Sequence, residues 1–254
     1  MLTGSIKRPR IWRSALAEQL RETIRMDFVQ FESTLGKFLK DLKRNNNRQW
    51  FQANKGRYER DVLEPARAFI RDFGPKLRKT SPFFVASDDR VGGSLMRIYR
   101  DTRFSKDKTP YKTNVGIQFR HEQGRDVHAP GFYVHLEPGE YFLALGVWKP
   151  DRDALARIRE AILDRPEQWK RVFQAKKFRA CGFALIGESL KRPPRDCPAD
   201  HPLMEDLKRT DFAVLRELDE SDVYGDRFVE RVAETFVAGS PLMRFLCTAL
   251  GLPY

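Results

Sequence analysis

Two short segments on either side of Pro138-Gly139 restrict this chain more than any other feature. Gly131 to Glu137 and Glu140 to Trp148 both read as strands. Proline at the second turn position holds φ near about −65°, and glycine at the third accepts a positive φ, so the pair predicts a type II turn. Strands joined by so short a turn must run antiparallel. Phe132, Val134 and Leu136 then share one face, and Tyr133 and His135 share the other.

Around this hairpin the periodicity changes. Ser94 to Tyr99 and Asn114 to His121 read as further strands, the second alternating through Val115, Ile117 and Phe119. Before them, Phe28, Phe31, Leu35, Phe38 and Leu42 recur at helical spacing, with Gly36 inside the pattern. Asn45-Asn46-Asn47 stops that helix, and one of these asparagines is expected to cap the next, which holds Trp50, Phe51, Tyr58 and Val62. Pro65 either starts a fresh helix or kinks a long one. After the strands, Asp151 and Pro166 start helices, Leu190 to Pro202 reads as a long loop, Asp222 or a neighbour starts a helix through Phe236, and Ser240-Pro241 start the last. Helices, then strands, then helices predict an α+β fold, with a mostly antiparallel central sheet packed by N- and C-terminal helices. Residues 27–254 are expected to form one domain. Residues 1–26 read as a basic extension, with an Arg-rich presequence or a membrane-surface helix as the weaker reading.

Charge narrows the classes of partner. Lys and Arg number 47 against 35 acidic residues, a net charge of +12. Eight of those cations, against two aspartates, fall between Arg90 and Arg120, which concentrates half of the excess there. An anionic small molecule or a nucleic acid is the expected partner class. The longest apolar run, Tyr141 to Trp148, is eight residues. A bilayer span needs about 20, so no membrane partner is expected. Cys181, Cys197 and Cys247 are too few and too scattered for a disulfide framework, which fits a reducing, cytoplasmic setting.

The segment from Arg97 to Lys112 carries the main candidate site. Arg97, Arg100, Arg103, Lys106, Lys108 and Lys112 would supply charge-assisted bonds to phosphate or carboxylate, and Tyr111 could position the ligand. Asp101 is most simply a partner that orients the arginines, with general-base work as the sharper alternative. His135 is either a structural histidine or a general acid or base, given its near-neutral ordinary pKa. His121, His128, His135 and His201 show no HxH, HExxH or i, i+4 spacing, so no metal site is expected. There is no P-loop and no GxSxG elbow, and no cofactor is expected. A solvated charged face remains the bland reading of the basic run.

Several segments taken together resemble one family, the domain of unknown function 2461. They are Leu39 to Phe51, the basic segment itself, Pro130 to His135, Gly146 to Pro150, Leu190 to Pro194 and Asp200-His201-Pro202. The resemblance implies an α+β fold and a cytoplasmic setting, and brings no activity with it. The functional readings therefore stand as anionic-ligand binding, an enzyme acting on a phosphorylated or nucleic-acid substrate, or a protein whose basic face meets an acidic partner.

Overall fold

In the computed structural model, residues 28, 30–124, 129–195, 197–198 and 200–254 are described. The proposed extension 1–26 and His128 lie outside them. The first main helix is α1 (Ser33–Arg44). It begins later than its periodicity predicts: Phe28 and Phe31 precede it and join an edge-to-face aromatic cluster with Phe69 and Phe228. Gly36 does not interrupt it; a glycine suits the position because a β-carbon there would lie 2.5 Å from the Tyr224 hydroxyl. Asn47 caps the next helical turn, Arg48–Ala53, by accepting from the Trp50 amide at 2.9 Å. The chain continues through Lys55–Tyr58, a π-helical stretch at Glu59–Leu63, and α2 (Glu64–Thr80). Pro65 has no N–H with which to meet the carbonyl four residues back, so the widened turn falls just ahead of it.

The sheet has six strands, all neighbouring pairs antiparallel. They are β1 (Phe84–Val85), β2 (Val115–His121), β3 (Gly131–Glu137), β4 (Glu140–Val147), β5 (Ala184–Ile186) and β6 (Phe212–Glu217), in the order β1-β2-β3-β4-β6-β5. The hairpin forms where the sequence puts it. Glu137 pairs with Glu140 across the turn, and Gly139 takes φ 91°. The strand expected at Ser94 to Tyr99 is instead a ragged edge beside β2. Only Leu95↔Ile117 and Tyr99↔Tyr111 pair, and the partner chain spends two extra residues between those bridges. The sheet also extends beyond the predicted stretch, since β6 and β5 come from the C-terminal half.

Between β4 and β6 lie α3 (Arg152–Asp164) and α4 (Pro166–Gln174); α5 (Phe228–Ala238) and α6 (Ser240–Ala249) close the chain. Asp151 caps α3 through the Ala154 amide at 2.8 Å. The single helix expected from Asp222 is two: one turn at Glu220–Val223, then a break at Gly225 and α5.

The helices cover one face of the sheet. Val115, Ile117 and Phe119 from β2, Phe132, Val134 and Leu136 from β3, and Leu143, Leu145 and Val147 from β4 are buried there. Phe119 meets Phe73 of α2 at 4.9 Å between ring centres, and Phe132 meets Phe236 of α5 at 4.7 Å. Each such ring stabilises the fold by roughly 1.5–3 kcal/mol through area removed from water. No helix covers the alternate residues of these strands so completely, and they form the site.

Candidate functional site

The second sheet face is floored by small and aromatic side chains. Tyr133 comes from β3, Phe142, Ala144 and Gly146 from β4, Ala213 from β6 and Ile186 from β5. With Met96, Gln118 and Trp148 they bound a mostly apolar cleft of about 330 Å³. Position 146 requires glycine twice over: its φ is 131°, and β6 runs so close that a β-carbon would collide with the Phe212 carbonyl. The strand then ends at Lys149, whose left-handed φ of 48° is held by the buried Asp211: its carboxylate accepts from the Lys149 amide at 2.8 Å and the Glu188 amide at 3.0 Å. That clasp places Trp148 at the cleft mouth, with the Lys149 ammonium over its ring.

A polar cluster adjoins the cleft. His135 lies flat on Phe142, with ring centres 4.5 Å apart and planes at 6°. Its Nδ1 is 3.1 Å from Tyr133 Oη and 3.4 Å from Asn114 Nδ2. Burial pushes the Tyr133 hydroxyl up to about 12, so it stays protonated. Burial also lowers the His135 pKa, against the opposing charges of Glu140 and Glu137, so the imidazole is neutral at pH 7. Its Nε2 is buried, finds no hydrogen-bond partner, and lies 3.8 Å from Glu137 Oε2. Thr113 donates to Glu137 Oε1 at 2.9 Å, and Lys43 pairs with the same oxygen at 3.2 Å. Gly116 sits across from His135, where any β-carbon would lie 2.7 Å from Tyr133 Oη.

The basic segment borders this face at Met96. Its two ends are closed by the Tyr99↔Tyr111 bridge, and Tyr111 is the anchor. Only 2% of Tyr111 is exposed, and it stacks on Phe51 at 4.1 Å. Asn46 pairs with its backbone in both directions, donating to the carbonyl at 2.9 Å and accepting from the amide at 3.1 Å. The loop between the bridges is laced together. Arg100 meets Asp107 and Thr109, Arg103 forms a two-pronged pair with Asp101, and Lys108 donates to the Thr102 carbonyl at 2.8 Å. Arg103 holds the Asp101 carboxyl down to about 2, and Arg100 does the same for Asp107. Arg97, Lys106 and Lys112 make no ion pair with the described residues. Lys112 is half-buried, and burial first and the Arg97 charge second lower its pKa. Phe104 projects into solvent, 94% exposed.

The structure thus brings together Arg97 and Lys112, turns Arg100 and Arg103 toward aspartates within the loop, and places His135 on the other face of the sheet from the core. Sequence reading missed Glu137, Glu140, Phe142 and Asp211. The His135-x-Glu137-Pro138-Gly139-Glu140 string held the signal for the first two, because the turn puts all three side chains on one face.

These features define an α+β protein with an antiparallel sheet backed by helices on one face and hollowed by an aromatic cleft on the other. The chain belongs to the family described as "Conserved hypothetical protein (DUF2461)", matched over residues 34–245. No curated protein and no solved structure matches it. No helix among the described residues is long and apolar enough to cross a membrane.

Proposed function

We propose that the chain binds an organic anion with a planar body, the body lying in the sheet-face cleft and the charge meeting Arg97 and Lys112. The observation that carries this reading is a juxtaposition. Met96 lines an aromatic hollow, and the next residue, Arg97, adds its charge to that of a half-buried lysine with no carboxylate at ion-pair distance, Asp101 acting on it only from farther off. A ligand phosphate or carboxylate would relieve that repulsion, and aromatic walls suit a heterocycle. Lys106 could extend the same positive field; Arg100, Arg103 and Lys108 would contribute through the field they share with their own partners, and Tyr111 by fixing the loop that bears them. A nucleotide, free or within a nucleic acid, fits this chemistry.

The test is titration with mononucleotides, aromatic carboxylates and short oligonucleotides, followed by thermal shift and by tryptophan fluorescence, with Trp148→Phe isolating the signal at the cleft mouth. Binding should weaken about tenfold or more in Lys112→Gln and in Phe142→Ala, since a bond to a charged group is worth about 1.5–3 kcal/mol. An oligonucleotide should also lose affinity log-linearly with salt. Saturable binding that neither substitution alters would overturn the reading.

One feature favours an enzyme acting on such a ligand: Tyr133, which lines the cleft, hydrogen-bonds Nδ1 of His135, so the imidazole could take up a proton by way of that hydroxyl. Asp101, held ionised by Arg103, suits orientation of that arginine better. His135→Gln should then abolish turnover while ligand binding survives.

A further inference from the structure

We propose that His135, Glu137 and Glu140 form a binding site for a divalent first-row transition-metal ion of the Zn²⁺ type. One donor atom from each residue falls within 4.8 Å of the others, on the open sheet face at the end of the hairpin. One imidazole nitrogen and two carboxylate oxygens are a donor set that zinc accepts.

Two further observations point to a cation. Glu137 and Glu140 are direct cross-strand partners, and like charges so placed repel. Lys43 and Thr113 engage only Glu137 Oε1, leaving Oε2 turned toward the histidine. The His135 Nε2 that faces it is a buried polar atom without a hydrogen-bond partner, which native structures rarely tolerate. An ion bound at Nε2 would resolve both strains. With the ion on Nε2 the neutral ring's single proton would sit on Nδ1, donating to Tyr133 Oη. By accepting from Nδ1, Tyr133 Oη would then supply the outer hydrogen bond that orients a metal-bound histidine. Three protein donors leave a coordination position for water or for a group presented from the adjoining cleft.

The site does not depend on the ligand proposed above, and it can fail separately. The experiment is equilibrium dialysis of the full chain against Zn²⁺, with Co²⁺ visible absorption as a second readout of coordination. Wild-type protein should bind one ion per chain at the same site for both metals. His135→Ala and Glu140→Gln should each weaken binding about tenfold or more, and His201→Ala should leave it unchanged. Glu140 is exposed, so its substitution keeps the test intact should His135→Ala fail to fold. Absence of binding by the wild type, or equal binding by wild type and Glu140→Gln, would overturn the proposal. So would loss of binding in His201→Ala.

Discussion

Asn46 does with a side-chain amide what a neighbouring strand does with its backbone. It satisfies both the N–H and the C=O of Tyr111, a residue 65 positions away, and so ties the helical N-terminal part to the basic loop. Asn46→Ala leaves a part-buried amide and carbonyl unpaired. It should cost about 1–3 kcal/mol in urea unfolding. His135 gives a pH signature at the same scale. Its folded pKa lies below the unfolded value of 6.5, so its contribution to stability is complete above about pH 6.5. That contribution is lost as the pH falls through the folded pKa. Urea midpoints of metal-free protein measured from pH 8 to pH 5 should therefore decline on the acid side, and His135→Gln should flatten the decline. The sequence showed His135 opposite the apolar triplet, and Asn46-Asn47 as a helix stop. It could not show that Asn47 is the cap while Asn46 reaches the loop, because that division depends on a contact made only after the chain has folded back.

Elements were legible where one face is wet or where a turn residue punctuates. The β3–β4 hairpin, α1, α3, α4 and α6 follow from alternation, caps and Pro-Gly signals. β6 was hidden for a physical reason: it lies inside the sheet, and its second face, with Ala213, joins the apolar cleft, so the period of two is blurred. β1 and β5, at two and three residues, are too short to carry a period at all. The edge at Ser94 to Tyr99 has the alternation of a strand but pairs only at its ends. Its partner must gain two residues between the bridges, and sequence periodicity does not encode a partner's spacing. Asp211 holds this end of the sheet together through two backbone amides and the Thr210 hydroxyl. Asp211→Ala should destabilise by about 2–4 kcal/mol, because both amides lose their acceptor and Lys149 keeps its left-handed turn unsupported. Thermal unfolding of the variant checks this.

Across the molecule, one contiguous buried cluster runs from Phe31 to Cys247 and includes helices from both halves of the chain. Circular dichroism and tryptophan fluorescence should therefore report one coincident urea transition, and Phe132→Ala, which removes a ring at the centre of the cluster, should shift both probes together by about 3–5 kcal/mol. The concentration of positive charge between Arg90 and Arg120 was plain in the sequence. Its distribution was not, since Arg100 and Arg103 pair with Asp107 and Asp101 on the loop surface while Arg97 and Lys112 make no such pair. Net charge is a property of composition, whereas pairing is decided by loop geometry. The Pro138-Gly139 turn has a wider reach than its size suggests. Side chains along a strand alternate strictly, so a slip of β4 by one residue would exchange Phe142 and Ala144 for Leu143 and Leu145. The helical layer would receive Glu140, and the opposite side would lose its aromatic floor and both neighbours of His135. Drift in the length of that reversal is thus the least forgivable change this chain could undergo, more damaging than replacement of any one wall of the hollow.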